Sequence, residues 1–362
     1  MKIGGVQLSH PLAVAPMAGM TDSAFRRLVK EHGGCGLVVT EMVSAEGLVR
    51  GIDRTLEYAE YTERERPIAI QVFGGDPKKM AAAAQVVEGL GADIVDVNMG
   101  CPVPKIAKHN AGCSLMREPA QAASIIAAMA KAVRIPVTVK MRAGWNDDER
   151  NASILARMVE DAGASAVAVH GRTAAQSYSG RADWDLIAAI ADVLTIPVFG
   201  SGDCVEPEQV VERLRAGVEG VLVGRGVLRN PWILAQAADL AAGRPMRTVT
   251  LEDRGCFLLD YIDLLLAEGR DEPEGFRHRA GAAPPERVQG ASGRRERWIV
   301  NKVRALGSWY TRGLDHGSQL RTAVNGTESV PALRDLVAEF FLSPRPAAQA
   351  PVVPEPAPAL PA

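Results

Sequence analysis

The most chemically suggestive part of the chain is a loop that carries a cysteine and an asparagine between Gly and Pro residues. The segment Asp96–Lys105 follows an apolar, β-branched run and presents Asn98 and Cys101 at the end of a predicted strand. A thiol in such a loop can act as an acid or base, and the amide can bind the edge of a planar polar ring. An isolated Cys beside a strand is more often a small buried hydrophobic residue, and a second one, Cys113, follows soon after. The functional interpretation therefore depends on the residues that end the other strands.

Charged and titratable residues end two further apolar runs. Lys140 and Arg142 lie at the end of one run, and His170 ends the next, followed by Gly, Arg and Thr. A lysine there is costly to bury unless an anion or an electron-rich ring accepts it. The structural alternative is an ion pair of Lys140 with Asp96 or Glu41. A lone His is more often structural, but the Gly-Arg-Thr that follows favours ligand binding by His170.

Two glycine-containing turns follow the last two predicted strands. They are Ser201–Asp203 and Gly224–Arg225, and the second opens a short predicted helix over Arg225–Leu234. Glycines let backbone N–H groups approach an anion closely, and an arginine adds charge-assisted hydrogen bonds. Either turn alone fits a plain tight turn, but the pair predicts a phosphate-bearing ligand. No GxGxxG motif follows a strand, so a dedicated dinucleotide-binding domain is not expected.

These residues would be brought together by a closed barrel. Short apolar runs alternate with amphipathic segments over residues 1–243, and the runs are 12–15, 37–40, 68–72, 94–97, 137–140, 166–169, 196–199 and 220–223. Alternation of this kind implies parallel pairing through right-handed crossovers. We therefore predict an α/β fold, a (β/α)₈ TIM barrel, rather than an open doubly wound sheet. The C-terminal ends of its strands converge on one face, where active sites of such barrels lie.

The pattern changes after Gly243 to helical periodicity. The predicted helices are Leu251–Leu266, Trp298–Arg312 and Pro331–Phe341. We predict a small C-terminal helical domain over residues 244–342, a mobile loop or insertion over 269–297, and a disordered Pro/Ala-rich tail over 343–362.

The helical domain contains a basic region. Residues 277–312 hold nine Lys/Arg against two acidic residues, with Trp298, Trp309 and Tyr310 between them. Basic helical surfaces with aromatic residues fit contact with RNA phosphates and stacking on bases. The alternative is a solvated charged loop.

The amino-acid composition limits the classes of protein to which the chain can belong. The chain has 362 residues, 47% of them apolar and 23% charged, and a formal net charge of −2. This near-neutral balance neither requires nor excludes a nucleic-acid partner. Five cysteines without a CxxC pair argue against a disulfide framework or a structural zinc site, so no metal is predicted. We expect a soluble cytoplasmic protein that does not enter membranes and shows no sign of an obligate protein partner.

With these motifs assembled, residues 1–342 resemble flavin-dependent tRNA-dihydrouridine synthases, and most closely their bacterial B-type branch. The motifs that carry the resemblance are residues 15–22 (Ala-Pro-Met-Ala-Gly-Met-Thr-Asp), 71–74, 96–102, 140–144, 170–173, 201–203, 224–225 and 230–232. Two positions depart from the family pattern. Ser201 stands where Asn is common, and Ala305-Leu306 replaces Lys-His in the helical domain.

The resemblance implies FMN at the barrel mouth. Its cofactor-binding residues would be Pro16, Met17, Ala18, Gln71, Lys140, His170, Ser201, Gly202, Asp203, Gly224 and Arg225. Met17 would pack beneath the isoalloxazine and Gln71 and Lys140 would contact it. The backbone around Gly202 and Gly224 would hold the phosphate.

The resemblance also implies a reaction. NADPH would reduce FMN and leave, and a uridine of tRNA would flip out of the stack. Hydride would pass from flavin N5 to uracil C6, and Cys101 would donate a proton to C5 as the catalytic acid. Asn98, Lys105 and Arg142 would bind the uracil.

Two other functions remain open at this point. One is an FMN-dependent oxidoreductase of a free pyrimidine, resembling dihydroorotate dehydrogenase, which would not need the basic helical domain. The other is an RNA-binding protein without catalysis, which would lack a flavin absorption band.

Overall fold

The computed structural model of the protein describes residues 1–107, 110–268, 272–279 and 292–343. Its strands are β1 (Lys2–Ile3), β2 (Val6–Gln7), β3 (Leu12–Val14), β4 (Leu37–Val39), β5 (Val43–Ser44), β6 (Tyr61–Thr62), β7 (Ile68–Phe73), β8 (Ile94–Met99), β9 (Val137–Arg142), β10 (Ala166–His170), β11 (Val198–Ser201), β12 (Gly220–Val223) and β13 (Arg277–His278). Its α-helices are α1 (Ser23–Glu31), α2 (Ala45–Val49), α3 (Asp53–Ala59), α4 (Pro77–Gly89), α5 (Pro104–Ala107), α6 (Pro119–Ala132), α7 (Ala152–Asp161), α8 (Trp184–Val193), α9 (Pro207–Leu214), α10 (Arg225–Arg229), α11 (Ile233–Ala241), α12 (Leu251–Ala267), α13 (Ser292–Tyr310), α14 (Gly317–Gly326) and α15 (Val330–Leu342). Residues Glu63–Glu65 and Gly112–Arg117 form short 3₁₀ helices.

The parallel strands close into a barrel. The order β4-β3-β12-β11-β10-β9-β8-β7 is completed by the pairing of β4 with β7. β5 adds a short parallel pairing beside β7. The predicted TIM barrel is therefore confirmed, and each predicted run contains or overlaps one barrel strand.

Alternation along each strand separates two layers of side chains. One parity, which includes Val14, Val38 and Val95, packs against the helices. The other parity faces the barrel axis, where Ala13, Leu37, Ala69, Ile94, Ala168, Phe199 and Leu222 form a second buried cluster with Ile3 and Leu8 at the N-terminal end. Because successive side chains alternate, the residues two or four positions after these apolar ones also face the axis, at the C-terminal end. Gln71, Asn98, His170 and Ser201 reach the barrel mouth in this way.

The C-terminal helices dock on the barrel through an aromatic contact. Phe25 of α1 meets Phe257 and Tyr261 of α12 edge to face, with ring centroids 6.0 and 6.3 Å apart. Tyr310 of α13 stacks on Phe257 at 5.6 Å and is fully buried. The helical region after residue 243 is thus present, and it includes α14, which the sequence analysis missed.

Two predicted segments require correction. The stretch 269–297 is not a loop throughout, because β13 pairs antiparallel with β6 and residues 292–297 belong to α13. The single helix predicted over Arg225–Leu234 is two helices, α10 and α11, because the chain turns at residues 230–232. Residues 269–271, 280–291 and the predicted tail after residue 343 lie outside the described residues. No helix in the described ranges is long and apolar enough to cross a membrane.

Candidate active site at the barrel mouth

A chain of hydrogen bonds crosses three neighbouring strands and ends at the cysteine loop. Thr138 donates to one oxygen of Asp96 at 2.6 Å, and Gln71 Nε2 donates to the other at 2.6 Å. Asn98 Nδ2 donates to Gln71 Oε1 at 2.8 Å, and Asn98 Oδ1 accepts from the Cys101 N–H at 2.9 Å. Burial raises the pKa of Asp96, although the two hydrogen bonds oppose this. The chain fixes the orientation of both amides and holds the start of the cysteine loop.

The structure distinguishes the two cysteines of this region. Cys101 is partly exposed at the mouth, whereas Cys113 is fully buried beneath it. Burial raises the pKa of Cys113 to about 11. The two are joined through the backbone, because the Cys113 N–H donates to the Cys101 carbonyl at 3.1 Å. A side chain at Gly112, whose φ is 62°, would come within 2.7 Å of that carbonyl, so the close approach requires glycine. Only Cys101 can meet a ligand from the mouth.

Lys140 lies beside Asn98 in the ladder between β8 and β9. The ion pair with Asp96 or Glu41 is not formed, and among the described residues the Lys140 ammonium has no hydrogen-bond partner. Burial, together with the charge of Arg142, lowers the pKa of Lys140 to about 8, which Asp96 partly offsets. A cation in this setting is available to an electron-rich ligand.

His170 closes β10 next to Ser201 of β11. Burial lowers the pKa of His170 strongly, and the surrounding cations Lys140, Arg142 and Arg172 lower it further. The imidazole is therefore neutral at physiological pH. It can donate one hydrogen bond and accept another, but it does not contribute charge to an anion.

The two glycine turns after β11 and β12 leave backbone donors free. Apart from the hydrogen bonds within strands and helices, the N–H groups of Gly202, Asp203 and Gly224 donate to no acceptor in the described part of the chain. A Cβ on Gly202, whose φ is 128°, would lie 2.5 Å from Ala182 Cβ. The Asp203 carboxylate is already engaged, since it accepts from Arg172 Nη2 and from the Ala182 N–H at 2.7 Å each. The carboxylate thus holds the turn in place, and the backbone N–H is the group of Asp203 that can bind an anion.

Guanidinium groups and aromatic rings alternate from the mouth to the helical domain. Arg142 and Arg225 lie over the Tyr178 ring at 5.9 and 4.4 Å. Arg225 and Arg312 lie over the Trp309 ring at 5.8 and 4.1 Å. We call these five residues the cationic ladder. None of its three arginines forms an ion pair with a described carboxylate, so the ladder is a strip of uncompensated positive charge.

The other residues predicted for the site lie after β3, at the end of β9 and on α5. Pro16, Met17 and Ala18 follow β3, with Met17 half-buried and Ala18 exposed. Arg142 donates to the carbonyls of Gly100, Thr173 and Ser177 at 2.8 to 3.0 Å, so it also supports the loop before Cys101. Lys105 is exposed on α5, at the edge of the mouth.

Sequence reasoning missed several members of the site. Asp96 and Thr138 share the inward parity of Asn98 and Lys140, and this signal could have identified them. Tyr178 lies in the loop after β10, and no local pattern indicated it. Arg172 was noted only as a neighbour of His170, yet it holds Asp203 and keeps one buried nitrogen, Nη1, without a partner in the described residues.

Comparisons with known proteins identify the relatives of this chain. The family model described as Dihydrouridine synthase (Dus) matches residues 13–257. The tRNA-dihydrouridine synthase B of Pseudomonas aeruginosa is 39% identical over 266 residues, which cover 72% of this chain and 79% of that protein. The tRNA-dihydrouridine synthase B of Xanthomonas campestris pv. campestris is 35% identical, with coverage of 94% and 96%. A probable tRNA-dihydrouridine synthase of Rickettsia bellii is 35% identical, with coverage of 95% and 98%.

Solved structures share the barrel. Histamine dehydrogenase from Rhizobium sp. 4-9 aligns with a TM-score of 0.51 and 13% identity, over 73% of this chain and 50% of that one. A 2-naphthoyl-CoA reductase aligns with a TM-score of 0.52 and 13% identity, over 73% and 55%. At these identities the likeness concerns the fold alone. The family match and the long alignments with relatives show that the chain belongs to the dihydrouridine synthase family, on its bacterial B-type branch, and is a flavin-dependent oxidoreductase.

Proposed function

We propose that this protein reduces uridines of tRNA to 5,6-dihydrouridine in the cytoplasm, with FMN as its bound cofactor and NADPH as its electron donor. The observation that carries the proposal is the placement of Cys101 and Lys140 at one barrel mouth. Cys101 is a partly exposed thiol, and Lys140 is a cation without a partner among the described residues. A polar, hydrogen-bonded chain joins the strands between them.

The residues at the mouth fit FMN. The free N–H groups of Gly202, Asp203 and Gly224 can bind its phosphate, and Arg225 can add a charge-assisted bond. Lys140 and Gln71 would contact the isoalloxazine, and Met17 would pack against one face. Gln71 is 1% exposed and its amide bonds Asp96 and Asn98, so its main contribution would be to hold Asn98 in place. Pro16, Ala18, His170 and Ser201 would complete the cofactor site. Reduced FMN would supply a hydride for C6 of the uracil.

The chain's own residues would perform the rest of the reaction. Cys101 would donate its thiol proton to C5 as the general acid. Asn98 Nδ2 keeps one N–H beyond its bond to Gln71 and can hold the uracil edge. Arg142 and Lys105 would orient the base. Arg142 has most of its donors on backbone carbonyls, so it would contribute mainly a fixed positive charge.

The helical domain would bind tRNA through fewer charges than its composition indicates. Arg277 and Arg295 are paired with Glu272 and Glu268, and Arg304 donates to carbonyls. Arg297 and Arg312 are exposed and form no ion pair within the described ranges. The surface proposed for tRNA is therefore the accessible part of the cationic ladder, from Arg225 to Arg312, together with Arg297 on the same helix α13 as Arg312's partner Trp309.

The test uses purified full-length protein with FMN, NADPH and tRNA transcribed without modification. We expect dihydrouridine to form in the tRNA, detected by nucleoside mass spectrometry, together with a flavin absorption band in the protein. Activity on free uracil or dihydroorotate, with none on tRNA, would favour a free-pyrimidine oxidoreductase. A colourless protein that binds tRNA and takes up no FMN would favour an RNA-binding protein without catalysis.

One prediction concerns the cofactor phosphate. Arg225→Ala should raise the dissociation constant for FMN about ten-fold or more, because one charge-assisted hydrogen bond contributes roughly 1.5–3 kcal/mol. Titration of apo-protein with FMN measures it. An unchanged affinity would mean that backbone N–H groups hold the phosphate alone and that Arg225 serves only the cationic ladder.

A second prediction concerns tRNA. The double variant Arg297→Gln/Arg312→Gln should bind tRNA more weakly and with a salt dependence flatter by roughly 0.7–0.9 per lost phosphate contact. The measurement is tRNA affinity at several salt concentrations. Arg334→Gln is the control, because Arg334 pairs with Asp263 within the helical domain. Identical slopes for the double variant and the parent protein would place the RNA contacts elsewhere.

A further inference from the structure

A lysine of the helical domain holds the loop that follows β3. Lys302 of α13 donates to the Gly19 carbonyl at 3.0 Å, across 283 positions of sequence. The N–H of the same glycine donates to Glu41 Oε2 at 2.6 Å, and the Lys302 ammonium lies 3.6 Å from Glu41 Oε1. The residue Gly19, whose φ is 80°, is thus held at its N–H by the barrel and at its carbonyl by the helical domain.

A second contact at the same place involves Asp22. One oxygen of Asp22 caps α1 by accepting from the Phe25 N–H at 3.0 Å. The other accepts from the Tyr261 hydroxyl at 2.7 Å and lies 3.0 Å from Lys302 Nζ. Two helices of the C-terminal domain therefore converge on one carboxylate at the end of the loop.

These groups are largely shielded from water. The side chains of Lys302, Asp22 and Glu41 are 12%, 13% and 7% exposed. Burial disfavours the charged lysine, but Asp22 and Glu41 more than compensate and raise the pKa of Lys302. Removing one member of a buried ionic group leaves the others uncompensated, so breaking this contact should cost more than breaking an ion pair on the surface.

The loop transmits the position of Gly19 to Met17. The Thr21 side chain accepts from the Met17 N–H at 3.0 Å, and the Met20 and Thr21 N–H groups donate to the Met17 carbonyl at 3.0 and 3.1 Å. Residues 17–22 therefore form one tight turn. A shift of Gly19 would move Met17 with it.

We propose that Lys302 is a positioning residue, through which the helical domain sets the Met17 loop against the flavin. The proposal rests on the proposed function, because it takes Met17 as the residue beneath the isoalloxazine. It follows that contacts of RNA with α13 and the geometry of the cofactor site are coupled through Lys302, and Tyr261 of α12 supports the same loop at Asp22.

The test compares Lys302→Met with Lys302→Arg in the full-length protein. FMN affinity is measured by titration of apo-protein, and hydrogen exchange is measured at residues 17–22 in the apo-protein. We expect Lys302→Met to weaken FMN binding about ten-fold, equivalent to about 1.4 kcal/mol, and to accelerate exchange in the loop. Lys302→Arg should restore most of both, because it retains the charge. Arg334→Met, which breaks another ion pair of the helical domain, should change neither.

The outcomes separate the two proposals. If the parent protein does not bind FMN, the proposed function fails and the positioning of a flavin fails with it. If the parent binds FMN and Lys302→Met leaves both affinity and exchange unchanged, only the role of Lys302 is overturned.

Should Lys302→Met not fold, Tyr261→Phe removes one hydrogen bond to Asp22 and keeps the ring. A two- to three-fold weaker FMN affinity would then support the coupling, and an unchanged one would overturn it.

Discussion

Replacing Cys101 with Ala is expected to lower the rate of uridine reduction in tRNA by about 10²–10⁴-fold, the usual contribution of a general acid. FMN binding and the reduction of FMN by NADPH should remain, because neither step needs a proton at uracil C5. Single-turnover measurements separate these steps. They follow flavin reduction first and its reoxidation by tRNA second.

Two other cysteines provide controls for this substitution. Cys113→Ala changes a buried thiol whose pKa burial raises to about 11, so it should alter stability rather than proton donation. Cys256→Ala changes an exposed thiol on α12 and should alter neither. Wild-type turnover by Cys101→Ala would exclude Cys101 as the acid. Loss of turnover in Cys113→Ala at unchanged stability would transfer the role to Cys113.

Replacing Lys140 with Met should weaken FMN binding about ten- to hundred-fold, because a charge-assisted contact from a buried cation is lost. The pKa of Lys140 near 8 adds a dependence on pH. The ammonium is charged below about pH 8, so FMN affinity of the parent should be highest there and decrease as the pH rises through 8. Titrations of apo-protein between pH 6 and about pH 9.5 test both statements.

The conservative variant and a distant lysine sharpen this test. Lys140→Arg keeps its charge over the whole range and should remove the decline above pH 8. Lys30→Met is a control, since Lys30 lies on α1, bonds the Cys35 carbonyl and is remote from the mouth. An affinity that is independent of pH in the parent, or unchanged in Lys140→Met, would contradict a contact between Lys140 and the cofactor.

Local patterns predicted much of the barrel mouth, for a physical reason. Strand side chains alternate between the two faces with a period of two. An even number of positions between a polar residue at the end of a run and an inward apolar residue before it therefore places the polar residue inside the barrel. Gln71, Asn98 and His170 share the inward parity of the apolar residues below them, and Lys140 lies opposite Asn98 on the next strand, above Thr138. Type, spacing and position at a strand end were sufficient to select them.

Other parts of the site could not be read from local sequence. Trp309 meets Arg225, and Lys302 meets Gly19, only because the helical domain docks on the barrel. The pairing of β13 with β6 joins Arg277 to Thr62 and depends on the same docking. Composition showed that the region was basic, but not that Arg277 and Arg295 would be neutralised by nearby glutamates.

In strands such as β7 and β8, the division into an apolar lower layer and a polar upper layer limits which insertions and deletions the gene can tolerate. Between Ala69 and Gln71, or between Ile94 and Asn98, adding or deleting one residue would turn the polar side chain outward into the helix layer. Side chains in the loops do not alternate between two faces, so adding or deleting a residue there does not turn a strand side chain to the other face. Length variation among related sequences should therefore concentrate between strands and helices. The strand segments that lead from the lower layer to the barrel mouth, such as residues 69–71 and 94–98, should keep a constant length even where their residue types change.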